Sequence, residues 1–578
     1  MSRALRSCFA FTLVLAFLFL WIAVRVTAQI TGPVGQDPSA AGVAALRDII
    51  DSARHSDLRW PDFSPYRSEV ARFYASDGYS LAWIHRGRPR TQAFALIQIL
   101  RDADRKGLNA EDYDGPRWPG RLANLRESVS ELELVRFDVA LTVSAMRYIR
   151  AVHFGRANPK GFKFELDVGN TKYDLADFLR ALTVSSSNPA TLLRRLEPSF
   201  PEYVHLLACL LQYSKLARRD DGERLRSISN PLVPGQVYAS LPRLAHLLRL
   251  FGDLPVAEEV SSDSNMFEGP LVDAVKHYQA RHGDPPHGRL DARTIAELNI
   301  SLGKRVRQIR LALERWRWVS HTFTQPPIVI NLPEFRLRGT DESGKVTAMT
   351  VTVETEYDLK SPLFEGELTQ VVFRPYWQVA PSIERQEIIP HIEKDQRFLP
   401  RNHFEIVASD GTVITDGRVS DAVLGQLKAG RLHVRQKPGP KNSIGLVKLS
   451  FSNSENVYLH GADERRSTSR APHPLSHGCI RVQEAAGLAA WVLRNNPGWD
   501  LDRVRAFMNG TRGNVQVNPT TTIPVLIIYG TAAVDEDGEI HFAEDIYGYD
   551  AKLEQALARE EHVISVVTQR QVRGESSR

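Results

Sequence analysis

The chain has 578 residues, enough for three or four folding units at roughly 100–200 residues each. A hydrophobic fraction of 43% with 24% charged residues excludes a mainly disordered, collagen-like or polytopic membrane chain. Lys and Arg total 73 against 68 Asp and Glu, a net charge of +5 with no long basic block, so no nucleic-acid partner is expected. Attraction to an anionic polymer or membrane surface stays open. Three cysteines cannot build a disulfide framework, so each needs its own explanation.

The N-terminus is laid out as an export signal. Arg3 and Arg6 precede an uncharged run, Ser7–Val24, and Val26-Thr27-Ala28 offers small residues for cleavage after Ala28. The apolar stretch of about 17 residues is near the lower limit for spanning a bilayer, so residues 1–28 read as a signal peptide or an uncleaved anchor. Cys8 precedes the apolar run, which argues against a lipoprotein. Either way the functional part is expected in the periplasm or cell envelope, with a membrane contact only if the segment stays uncleaved. Residues 29–59 read as a linker with one short helix.

From 60 to 255 the pattern predicts a helical scaffold. Gln92–Lys106 places Phe94, Ile97, Leu100 and Ala103 on one stripe, ended by Gly107. Leu132–Ala151 and Tyr203–Leu216 behave similarly, and Cys209 sits in the second as a small hydrophobe. No acid pair or metal-ligand spacing occurs there. Residues 256–300 form a compact unit. Pro270 opens a helix with Leu271, Val275 and Tyr278 on one side, His282–Gly288 breaks it, and a second helix starts at Asp291 with Thr294, Ile295 and Leu298. The run Val275, Tyr278-Gln279, His282-Gly283 and Gly288 resembles the small three-helix peptidoglycan-binding module over about 35 residues; the alternative is a helical hairpin that only spaces domains. A connecting helix is predicted within 301–324, with Leu302, Val306, Ile309, Leu313 and Trp316 as its packing stripe.

At Gln325-Pro326-Pro327 the texture turns to β, with short strands of β-branched residues running on to Ile523–Tyr529. A β-rich domain over 325–535 follows. Residues of about 380–441 are mixed and charged, too long for a plain connection, and read as an inserted lid. Residues 536–578 read as a C-terminal tail.

Within the β domain, Val457–Val482 carries the chemistry. Cys479 stands in a polar, glycine-flanked context, with His477 two residues and His460 nineteen residues upstream. An imidazole within reach converts a thiol to thiolate, and thiolate is the nucleophile. Gly478 lets backbone N–H groups approach a developing oxyanion. Two histidines and one cysteine lack zinc-site spacing, and no resolving thiol is nearby, so neither metal nor cofactor is expected.

This segment resembles the signature of the YkuD-type L,D-transpeptidases: His460-Gly461, fourteen residues, then Ser476-His477-Gly478-Cys479-Ile480-Arg481. Leu313–Trp318, Ile330–Leu337, Arg374–Ile383, Arg435–Gly445, Asp535–Asp550 and Arg72–Trp83 are similar to the long YcbB-like branch. The resemblance implies a multidomain α+β chain: a helical scaffold, a three-helix peptidoglycan-binding module and a β-rich catalytic domain bearing a lid. It implies that Cys479 attacks the L,D bond of a tetrapeptide stem, forms a thioester and passes the acyl group to another diaminopimelate. The partners implied are peptidoglycan stem peptides and the polymer itself. Proximity alone favours His477 as base, but the family assigns that role to the upstream histidine, so His460 is expected to take the proton and His477, with Ser476, to shape the oxyanion turn. Arg481 is a candidate for holding a stem carboxylate or for a structural ion pair. Tyr458 is expected to line the pocket on the face of His460, and Trp377 to line the donor site or pack in the core. An L,D-carboxypeptidase would use the same thioester and accept water. A non-catalytic wall-binding protein would need no Cys479.

Overall fold

A computed structural model describes residues 37–125, 130–162, 174–184, 188–258, 265–354, 360–453, 456–461, 478–535 and 538–558. The expected export signal, Ser476, His477 and everything after 558 lie outside the described residues. Among those described, no helix is long and apolar enough to cross a membrane.

The scaffold core runs from Leu46 to Leu196 around helix Glu131–Phe154. Ser130 starts that helix with a reciprocal capping box to Glu133, which satisfies two N-terminal donors at once. The expected linker contributes to this core, because helix Ala40–Ser52 buries Leu46 and Ile50 in it. The Arg72–Trp83 motif is structural. Asp138 accepts the Tyr74 hydroxyl at 2.7 Å and the Trp83 main-chain N–H at 2.7 Å, deep in the core. In helix Thr91–Arg101 the buried positions are Ala93, Leu96, Ile97 and Leu100, while Phe94 is exposed. A strict spacing of three drifts by about 60° per step on a helix of 3.6 residues per turn, which carries Phe94 off the stripe.

The second helical unit has its own core from Leu225 to Leu298. Helix Leu241–Phe251 packs in it with Pro270–Arg281 and Ala292–Leu298, so the expected boundary at 255/256 cuts through this unit. Buried Arg281 ties it to the rest of the chain, pairing with Asp253 at 2.6 Å and donating to the Ile540 carbonyl at 3.0 Å.

Helix Leu302–Trp316 lies against helix Pro201–Ala217, and both join the core of the β domain instead of standing apart from it. The Leu313–Trp318 motif forms the joint with the scaffold. Buried Glu314 accepts the N–H groups of Arg156 and Ala157 and, at 3.4 Å, the Trp318 indole. Fully buried Arg317 donates to the Tyr203 hydroxyl and the Lys106 carbonyl.

Among the described residues the main sheet has nine strands. Strands Val447–Phe451, Tyr458–His460, Ile480–Val482, Val346–Thr352, Arg336–Thr340, Ile328–Asn331, Ile523–Ile528 and Phe364–Phe373 are hydrogen-bonded in that order, and the last pairs back to the first. The result is a closed barrel, with Val515–Val517 alongside Phe364–Phe373. Alternation sorts the faces: Val447, Leu449 and Phe451 fill the interior, while Lys448 and Ser450 point outward.

The inserted segment is a folded cap. Four strands pair in the order Val413–Thr415, Phe404–Val407, His433–Gln436 and Trp377–Gln378, over a separate small core that includes Trp377, Ile392, Phe404 and Val434. Asn442 pins its base by donating to the carbonyls of Pro375 at 3.1 Å and Lys437 at 3.0 Å.

The expected tail is part of the fold through residue 558. Strand Ile540–Phe542 pairs with Ala532–Val534, and Phe542, Tyr547 and Leu553 enter the main core.

Candidate active site

Strands Tyr458–His460 and Ile480–Val482 run parallel, with Leu459 opposite Ile480 and His460 opposite Arg481. That register sets Tyr458 level with Cys479. Because strand side chains alternate, Tyr458, His460, Cys479 and Arg481 share one face, and Leu459 and Ile480 point into the barrel. On the next strand, Lys448 pairs with His460 and Ser450 with Tyr458, so the Lys448 side chain joins the same outer face.

Cys479 is half-buried. The main-chain N–H and the hydroxyl of Tyr458 both reach its sulfur. Burial pushes the thiol up from its ordinary value; the Tyr458 donors and the Lys448 charge pull the other way without overcoming it. Burial likewise drives the Tyr458 hydroxyl far above its usual range, so it stays protonated and able to donate. The Trp377 indole donates to that hydroxyl, and Tyr458 packs on the cap core, so the cap bears on the nucleophile through the Tyr458 ring.

His460 is 4% exposed and its Nδ1 lies 2.6 Å from the Gly461 carbonyl. A carbonyl only accepts, so the neutral ring carries its hydrogen on Nδ1 and Nε2 is left to take a proton. Burial, then the Arg481 charge, lowers its pKa to about 4 against the opposing pull of the Gly461 and Ile444 carbonyls. At neutral pH the site therefore rests as thiol and neutral imidazole.

Gly478 has φ +87, the left-handed region that favours glycine. A Cβ there would also come within 3.3 Å of Pro362. The segment Lys360–Pro362 that touches Gly478 is clamped from the C-terminal side. The Tyr547 hydroxyl donates to the Glu354 carbonyl at 2.6 Å and accepts from Ser361 N–H at 3.3 Å, and the Lys360 ammonium donates to the Tyr547 carbonyl at 3.0 Å.

Of the residues expected from sequence, the fold thus gathers Cys479, His460, Tyr458, Arg481 and Gly478, with Trp377 joined through Tyr458 while it packs in the cap core. Lys448 and Tyr547 went unread. Lys448 had a signal, a lone lysine in the alternating strand Val447–Phe451; Tyr547 lies in the Asp535–Asp550 run that resembles the long branch, but nothing in that run tied it to a site nearly seventy residues upstream.

A thiol flanked by donors, with a buried neutral imidazole on the same face, is equipped for nucleophilic acyl chemistry. Residues 326–523 match the YkuD family, described as the L,D-transpeptidase catalytic domain, and residues 68–210 match a scaffold domain. The chain therefore carries a YkuD-type L,D-transpeptidase catalytic domain together with a helical scaffold. It is also similar to a protein of Haemophilus influenzae described as a "Putative L,D-transpeptidase", 25% identical over 226 residues that cover 39% of this chain and 45% of that one. The chain spans less than half of that relative's length.

Proposed function

We propose that the protein is an exported L,D-transpeptidase that links diaminopimelate residues of peptidoglycan stems through a thioester on Cys479. The observation that carries this is the parallel pairing that sets Cys479 and His460 on one outer face of a barrel matched to that catalytic family. In the first half-reaction the thiol proton passes to His460 Nε2 and the sulfur attacks the diaminopimelate carbonyl. The C–S bond forms, the C–N bond to the terminal D-alanine breaks, and the proton leaves on the D-alanine amine. In the second, the side-chain amine of another diaminopimelate forms the new C–N bond, the C–S bond breaks, and a proton returns to sulfur. A closed cap favours the amine over water. The unit with its core from Leu225 to Leu298 tethers the enzyme to the polymer.

Analysis of muropeptides after incubation with isolated sacculi tests the reading. Cross-linked dimers support it; shortened tripeptides point to an L,D-carboxypeptidase, and no change to a wall-binding protein.

A further inference from the structure

Among the described residues, Lys448 is a cation without a carboxylate. It extends from a barrel strand onto the outer face that carries Cys479, its ammonium 4.1 Å from the centre of the Tyr458 ring, and no acidic side chain among the described residues pairs with it. Burying an ammonium costs free energy unless something negative compensates, and burial does lower the pKa of this amine. The group that opposes the loss is the Cys479 sulfur, and Lys448 is in turn the charge that acts on that sulfur. In the resting site the His460 ring is uncharged, with a pKa of about 4, and it becomes a cation only by taking the thiol proton. The other titratable groups on this face among the described residues are Tyr458, a neutral donor, and Arg481, whose charge bears on His460.

We propose that the Lys448 ammonium is a working part of the nucleophile: it holds the negative charge on the Cys479 sulfur once the proton has passed to His460. The Tyr458 ring lies beneath the ammonium and its hydroxyl meets the sulfur, so the lysine is fixed by cation–π contact without a carboxylate that would neutralise it. The inference rests on Cys479 as nucleophile. Tyr458 and Lys448 then act together, one by hydrogen bond and one by charge.

The test is the pH dependence of Cys479 alkylation by iodoacetamide, followed by intact mass in a Cys8→Ser, Cys209→Ala background. Lys448→Met should raise the midpoint on the order of one pH unit, the scale on which a neighbouring lysine acts on a thiol. Lys448→Arg should restore it. A loss of packing alone would relieve the burial that holds the thiol up and so lower the midpoint, and a midpoint that fails to rise in Lys448→Met overturns the proposal. If that variant fails to fold by circular dichroism, the unsubstituted lysine is probed directly. Anionic iodoacetate should then gain on neutral iodoacetamide at Cys479 relative to a cysteine in a short neutral peptide; an equal or smaller ratio overturns the proposal. The assay uses no peptidoglycan. A raised midpoint without cross-linking would therefore refute the transpeptidase reading alone, and a midpoint that fails to rise with cross-linking intact would refute the role of Lys448 alone.

Discussion

Replacing Tyr458 by Phe removes one oxygen and two hydrogen bonds while keeping the ring that carries Lys448 and packs on the cap. The first bond lost is the donation to the Cys479 sulfur. A hydrogen bond to a charged group contributes about 1.5–3 kcal/mol. The bond is strongest when the sulfur carries its negative charge, so its loss raises the barrier to acylation, and at about 1.4 kcal/mol per decade the rate should fall roughly 10- to 100-fold. The second is the acceptor for the Trp377 indole, in a residue 3% exposed. An unsatisfied buried donor costs about 1–3 kcal/mol, which should appear as a lower melting temperature. The assay is rapid-quench mass spectrometry of Cys479 acylation by a soluble tetrapeptide stem, with melts run in parallel. A variant that acylates at the wild-type rate refutes the assignment of Tyr458 to the nucleophile. An unchanged melting temperature refutes its link to the cap.

Tyr547→Phe should lower turnover of a small soluble stem several-fold, because Glu354 and Ser361 lose the hydroxyl that holds the segment against Gly478; unchanged turnover in a folded variant separates the C-terminal clamp from the site. Excising residues 380–432 behind a short Gly-Ser linker should leave the barrel folded, since its core uses none of them, and should raise hydrolysis of the thioester relative to transfer; an unchanged product ratio means the cap does not exclude water. Burial, then the neighbouring His153 charge, lowers the pKa of His321 to about 4, with the two rings 4.5 Å apart at the scaffold joint. The unfolded chain therefore binds more protons between about pH 6.5 and 4, so stability should fall on acidification across that window, and His321→Phe should flatten the dependence of melting temperature on pH. Carbapenems, as strained acyl donors, should leave an adduct on Cys479, and intact mass after incubation checks its position.

The local signals in the chain were reliable where the physics was local. The buried stripe of Leu302–Trp316 and the alternation of Val447–Phe451 follow from the sequence alone. So does the glycine at position 478, since a chemistry-bearing turn needs a backbone that side chains disfavour. What stayed hidden depends on long-range pairing. The helix Leu241–Phe251 reads as scaffold from its own periodicity, yet its apolar face is satisfied by residues up to Leu298. Charge and acidity made residues 536–558 look like a tail, although Phe542, Tyr547 and Leu553 reach the main core. Lys448 became part of the site only through the register that pairs it with His460, and a register cannot be read from one strand.

Trapping the acyl-enzyme shows whether Cys479 carries the acyl group. The protein is mixed with a tetrapeptide stem, quenched in acid, digested, and searched by mass spectrometry for the stem lacking its terminal D-alanine. That adduct is expected on Cys479, absent in Cys479→Ser and undiminished in Cys209→Ala, whose thiol is buried in the main core. An adduct on another residue, or D-alanine release by Cys479→Ser at the wild-type rate, would contradict it.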